Sequence, residues 1–274
     1  MYVSRLWAIT VGAITVTTGL VAGAGSAAAA ATNYVALGDS YSSGTGAGNY
    51  DPASGNCLRS ANAYPRLWAA DRSPDSFKFV ACSGATTSSV TSGQLSALES
   101  STTLVSITVG GNDAGFARVM ETCVLQSTAS CETAVANAES FMRNTLPGRL
   151  DSLYSSIRSK SPSARVVVLG YPRLYIQNSS GCIGLSQTKR AALNRAADTL
   201  NTSISGAVSR AGFTFSDVRD EFAGHELCSG DGWLHSLTYP IGDSYHPTAR
   251  GHANGYYPAL RSSTSGVLAR HADS

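Results

Sequence analysis

Charge is scarce in this chain. Only 14% of its 274 residues are charged, and they nearly cancel to a formal +2. With no basic cluster, a nucleic-acid groove or a polybasic membrane patch is not expected. No C-x-x-C pair and no zinc-ligand spacing occurs, so no metal site is expected, and the serine chemistry considered below needs no cofactor. No Gly-x-Ser-x-Gly surrounds the serine considered below, because position 42 is Ser, which excludes the usual nucleophile elbow of the α/β-hydrolases. After the first 31 residues no run is apolar enough to span a bilayer. No repeat, low-complexity stretch or linker divides the remainder.

The N-terminus has a different character. Arg5 precedes an uncharged stretch from Ala8 to Ala24 that is almost wholly apolar, Gly or Thr, and Ser26 to Ala31 supplies small-residue cleavage frames. Residues 1–31 therefore read as a secretory signal peptide, with an uncleaved anchor as the alternative. Residues 32–274 are expected to form one domain, long enough for a sizeable α/β core, secreted to the extracellular space and monomeric. In an exported chain, six cysteines read as three disulfides. Six allow fifteen pairings. The simplest is sequential, Cys57–Cys82, Cys123–Cys131 and Cys182–Cys228, but the sequence alone does not choose. A nucleophilic Cys82 is the competing use.

Five β-branched or aromatic runs stop at Gly, Pro or polar punctuation: Tyr34–Leu37, Phe77–Ala81, Leu104–Val109, Arg165–Leu169 and Phe213–Asp217. Helical spacing of apolar residues marks Ala61–Arg72 (Leu67, Trp68 and Ala70 inward), Glu132–Lys160 divided at Pro147-Gly148, Ser186–Ala211, and Thr248 to about Ser262. Alternating strands and helices predict a parallel sheet covered on both faces. In such sheets ligands sit beyond the carboxyl ends of the strands. Ser40, Gly84 and Asn112 follow the first three strands and so share that edge.

These residues carry chemistry. Ser40, in Gly38-Asp39-Ser40-Tyr41-Ser42, follows a strand on a sharp turn. It is a candidate nucleophile if a base lies within hydrogen-bond reach; the plain reading is an Asp-Ser helix cap. His246, in Asp243-Ser-Tyr-His246-Pro247, is the candidate base. Asp243, three residues earlier, is placed to set its tautomer, and Pro247 suits the start of a helix. His225, His235, His252 and His271 read as surface or supporting residues. Gly110-Gly111-Asn112-Asp113 forms a tight turn that can offer the Asn112 amide to an oxyanion. Gly84 and the Ser40 backbone N–H are the other candidate donors, each worth about 3 kcal/mol in a transition state.

Gly38-Asp39-Ser40, Gly84, Gly110-x-Asn112-Asp113 and Asp243-x-x-His246-Pro247 resemble, in order, the four sequence blocks of the GDSL/SGNH hydrolases. The likeness spans about Tyr34 to Gly251 and is similar to the secreted actinobacterial lipases and phospholipases of that family. The resemblance implies a three-layer α/β/α, flavodoxin-like fold, three sequentially paired disulfides and no metal requirement. It also implies a carboxylic ester hydrolase with Ser40 as nucleophile, His246 as base, and Ser40, Gly84 and Asn112 as oxyanion donors. Asp243 occupies the acid position, although some relatives orient the histidine with a main-chain carbonyl. The expected activity is cleavage of medium- to long-chain fatty-acyl esters. Phospholipase A1 and carbohydrate acetyl esterase are the enzymatic alternatives, and a secreted binding protein with a decayed site is the non-enzymatic one. The expected partners are small-molecule or lipid esters, with contact at a lipid interface but no stable anchor. Tyr50, Phe116, Val119, Met120, Val124 and Leu125, in loops 41–58 and 114–125, are candidates to shelter the acyl chain.

Overall fold

The computed structural model describes residues 1–4, 31–177 and 182–269. The signal-peptide reading and His271 lie outside them. Among the described residues, five parallel strands form one sheet in the order β2-β1-β3-β4-β5. They are β1 (Asn33–Ala36), β2 (Ser76–Phe79), β3 (Leu104–Ile107), β4 (Arg165–Leu169) and β5 (Thr214–Ser216). Val105 pairs with Val35 on one side and Val166 on the other, which fixes the register of the central strands. β3 is buried along its whole length, and β4 from its second residue. This is why these strands read as continuous apolar runs rather than alternating ones.

The helices are α1 (Ser40–Ser43), α2 (Tyr64–Arg72), α3 (Thr87–Ser89), α4 (Phe116–Leu125), α5 (Thr128–Asn144), α6 (Leu146–Lys160), α7 (Gln187–Ala211), α8 (Ala249–Gly251) and α9 (Tyr257–Ala269). α5, α6 and α7 pack on one another, and α4 joins them through α5. α2 packs against α9, which lies on β4 and β5. The result is a three-layer α/β/α sandwich. Leu146, Leu150, Leu153 and Ile157, one stripe of α6, are almost fully buried in its core.

Several boundaries differ from the sequence reading. Most of the 114–125 stretch, expected as a loop, is helical: residues 116–125 form α4, where Phe116, Val119, Met120 and Cys123 recur at helical spacing, and the last three are buried. α5 begins at Thr128 rather than Glu132, because the Ser127 side chain accepts from the Ser130 N–H. The break before α6 falls at Thr145, leaving Pro147 in the first turn, where a missing N–H costs no hydrogen bond. α2 starts at Tyr64 and buries Tyr64, Pro65 and Trp68, whereas Ala70, expected inside, is exposed. The C-terminal helical segment runs on from α8 through a π-turn at His252–Tyr256 into α9, past the expected Ser262.

Disulfides join Cys57 to Cys82, Cys123 to Cys131 and Cys182 to Cys228. The first ties the loop after α1 to the chain leaving β2; the second links α4 to α5. Among the described residues no helix is long and apolar enough to cross a membrane.

Candidate active site

The chain leaving β1 makes a turn that few sequences allow. Gly38 has φ +124°, and a Cβ there would meet the Thr108 carbonyl oxygen and the Ser42 Oγ, each at 2.6 Å. Gln94 grips this residue from both sides: its Oε1 accepts the Gly38 N–H at 2.7 Å and its Nε2 donates to the Gly38 carbonyl at 2.8 Å. The next residue, Asp39, caps α1. Its buried carboxylate accepts from the Tyr41 N–H at 3.0 Å, the Thr108 hydroxyl at 2.6 Å and the Tyr171 hydroxyl. Burial pushes its pKa up to about 6, against the opposing pull of those hydrogen bonds. The plain cap reading thus belongs to Asp39, and Ser40 is left as the first residue of α1, its side chain lining a cleft.

The His246 Nε2 lies 2.8 Å from the Ser40 Oγ. The His246 Nδ1 lies 3.1 Å from the Ser244 carbonyl oxygen. A carbonyl can only accept, so Nδ1 carries the proton and Nε2 is left to accept from the serine. Burial lowers the His246 pKa to about 4, outweighing the hydrogen bond to Ser244 and the charge of Asp243. The ring is therefore neutral at neutral pH. Two contacts hold the histidine loop against the serine turn. Tyr41 donates its hydroxyl to the Tyr245 carbonyl at 2.6 Å. The His235 Nε2 lies 2.8 Å from the Gly46 carbonyl oxygen.

Asp243 requires a correction. The Nδ1 partner is the Ser244 carbonyl, not the Asp243 carboxylate. Asp243 instead accepts from the Tyr50 hydroxyl at 3.2 Å, and that hydroxyl accepts the Gly46 N–H at 2.8 Å. The side chain that the sequence offered as the orienting acid is a brace between two loops. Tyr50, offered as an acyl-chain contact, belongs to the same brace and not to the cleft lining. The supporting histidines also separate: His252 is fully buried beneath Tyr64, while His225 stacks on Trp233.

Gly84 and Asn112 line the same cleft as Ser40. Gly84 has φ +79°, which suits glycine. The Asn112 Nδ2 donates one hydrogen to the Ala85 carbonyl at 3.0 Å, which sets the amide plane. Asp113 bonds the Thr87 N–H and hydroxyl at 2.9 and 2.7 Å, clamping the two loops together. Gln94, Tyr171 and Thr108 escaped the sequence reading. No local motif marks them: Gln94 follows α3, Thr108 follows β3 and Tyr171 follows β4, and only the closing of the fold brings them to Gly38 and Asp39.

The cleft has a volume of about 670 Å³ and runs from Ser40 and His246 between α4, α5 and α7. Phe116, Val119, Met120, Val124 and Leu125 line it, as the sequence suggested, joined by Ala138 and Met142 of α5 and Leu193, Ala196 and Leu200 of α7. Among the described residues no lysine or arginine lines it, and Glu121 is its acidic residue apart from Asp39. Among the described residues no three His, Cys, Asp or Glu side chains cluster as metal ligands.

Comparison with known proteins identifies the family. Residues 36–253 match the model of the GDSL-like Lipase/Acylhydrolase family. Lipase 1 of Streptomyces coelicolor is 59% identical over 233 residues, covering 85% of this chain and 87% of that protein. Among solved structures, phospholipase A1 from Streptomyces albidoflavus is 59% identical with a TM-score of 0.83, over 85% of this chain and 99% of that one. The extracellular lipase from Streptomyces rimosus is 54% identical with the same TM-score and the same coverage. With a family match over most of its length and relatives at this identity, the chain belongs to the GDSL-like lipase/acylhydrolase family of ester hydrolases.

Proposed function

We propose that this ester hydrolase is secreted and cleaves fatty-acyl esters of medium to long chain, with Ser40 as nucleophile and His246 as general base. The observation that carries the reading is the 2.8 Å contact between the Ser40 Oγ and the His246 Nε2 at the mouth of an apolar cleft. In the first step the Ser40 oxygen attacks the ester carbonyl carbon while its proton passes to the His246 Nε2. The tetrahedral oxyanion takes hydrogen bonds from the Ser40 and Gly84 N–H groups and the Asn112 amide. Collapse breaks the bond to the alcohol, which leaves with the proton from His246. Water then attacks the acyl-enzyme by the same route, releasing the acid and restoring Ser40. Throughout, the Ser244 carbonyl holds the imidazole in its tautomer, and no metal or cofactor takes part.

The cleft supports long acyl chains over acetyl. It is large and apolar, and each buried methylene contributes about 0.8 kcal/mol. Phospholipase A1 activity is the second reading, favoured by the 59% identity to the Streptomyces albidoflavus enzyme of that name. Three disulfides, the signal-like N-terminus and the relative named as extracellular support secretion. The test is hydrolysis of p-nitrophenyl esters from acetyl to palmitoyl, and of phosphatidylcholine, by the intact protein and by Ser40→Ala, His246→Ala and their double variant. Turnover should rise beyond acetyl. Each single variant should lose at least about 10²-fold, and the double variant little more, because the pair acts as one unit. A single variant retaining a tenth of the activity refutes the roles, and a steep fall beyond acetyl refutes the chain-length reading.

A further inference from the structure

The cleft does not end at a polar rim. Leu125, on the last turn of α4, is 73% exposed, and Leu237 and Ile241, on the loop that leads to His246, are 55% and 68% exposed. All three also line the cleft. Tyr239 lies between the latter two at 94% exposure, outside the lining. The tip carrying these side chains is tied down, not loose. The Thr238 N–H donates to the Ser244 Oγ at 3.0 Å, the Asp243 N–H to the Pro240 carbonyl at 3.0 Å, and the Ser244 N–H to the Ile241 carbonyl at 3.1 Å. An ordered loop that points large apolar groups into water incurs a solvation cost that the fold does not recover by itself.

We propose that Leu125 and the 237–241 loop form a docking surface for a neutral lipid aggregate. The proposal rests on the ester-hydrolase reading and adds how the substrate is reached. Two observations select this occupant. First, the exposed patch is continuous with the apolar cleft, so one molecule can pass from an apolar phase to Ser40 without crossing water. Second, the charge is wrong for an anionic surface: residues 236–242 carry no charge, Asp243 follows, and the charged residues of the cleft lining are Asp39 and Glu121. Tyrosine beside leucine and isoleucine suits the boundary of a neutral bilayer.

The test uses Ser40→Ala protein, so that the surface is not consumed, and vesicles of dioleoylphosphatidylcholine read by co-sedimentation. Adding Tyr239→Ser should weaken vesicle partition at least fivefold, and Tyr239→Trp should keep or raise it. Tyr239→Ser in the active protein should hydrolyse soluble p-nitrophenyl butyrate within twofold of the unsubstituted protein. Partition unchanged by Tyr239→Ser overturns the proposal, as does binding to phosphatidylglycerol vesicles in preference to neutral ones. A dimer that Tyr239→Ser dissociates would assign the face to a second copy of the chain and equally overturn it. Partition needs no turnover. Absence of soluble-ester hydrolysis by the unsubstituted protein would therefore count against the ester-hydrolase reading alone.

Discussion

Replacing Asp243 by Asn separates two designs of the site. Where a carboxylate holds the catalytic imidazole directly, its conversion to the amide leaves the wrong tautomer and costs about 10⁴ in kcat. Here the Nδ1 partner is the Ser244 carbonyl at 3.1 Å, which a side-chain change cannot remove. Asp243 accepts one hydrogen bond, from Tyr50 at 3.2 Å, and the Oδ1 of an asparagine can accept the same bond. What is lost is the field of one half-buried charge on the imidazolium, comparable to a partly exposed ion pair at up to about 1 kcal/mol. That corresponds to no more than about a fivefold fall in kcat/KM on a soluble p-nitrophenyl ester. Asp243→Ala, which also cuts the brace to Tyr50 and Gly46, should cost more than Asp243→Asn. The assay is steady-state kinetics at pH 7.5, with the fold checked by circular dichroism. A loss of 10³ or more in Asp243→Asn would refute the carbonyl-held histidine.

The pH profile follows from the proposed base, His246: burial lowers its pKa to about 4, and only the neutral ring can take the serine proton. Activity is therefore complete above that value and lost as pH falls through it, so kcat/KM should hold nearly level from pH 7.5 to 5.5. A midpoint near 6.5 would contradict the desolvated ring. His252 governs stability in the same direction: fully buried, its pKa is lowered to about 3, so the unfolded chain takes up a proton below pH 6.5 that the folded chain refuses. The His252 contribution should decline from pH 6.5 downward, by on the order of 5 kcal/mol once both pKa values are passed, and His252→Asn should flatten that limb in urea unfolding; an unchanged slope counts against it. Asp39, with its pKa raised to about 6, acts oppositely, favouring the folded state as pH falls between 6 and 4. In the cleft, Ala196→Phe should fill space beside α7 and cut palmitoyl relative to butyryl ester turnover at least tenfold; an unchanged ratio would place the acyl chain elsewhere.

The meeting of Ser40, Gly84, Asn112 and His246 at one cleft was legible because each block is local. Gly38 to Ser40, Gly110 to Asp113 and Asp243 to His246 are short segments whose residue types announce a turn, a donor or a base. The parallel sheet was legible because burial on both faces leaves unbroken apolar runs such as Val166-Val167-Val168. What escaped is set by closure of the chain. Whether Asp243 or Ser244 meets Nδ1 depends on the backbone around Tyr245, which has φ +64°. The Gln94 grip on Gly38 spans 56 residues, and the Tyr171 bond to Asp39 spans 132. α4 was overlooked because its apolar face, though regularly spaced, is short and follows directly on a glycine-rich turn, so it reads as loop.

Fluorophosphonate labelling followed by peptide mapping tests the central claim most directly. The folded protein should take one phosphonyl adduct, on Ser40 within the peptide containing Gly38-Asp39-Ser40. Ser40→Ala should take none, and His246→Ala should label at least about a hundredfold more slowly, since the base is what makes the serine reactive. An adduct on another residue, or a folded protein that takes none, would contradict the account.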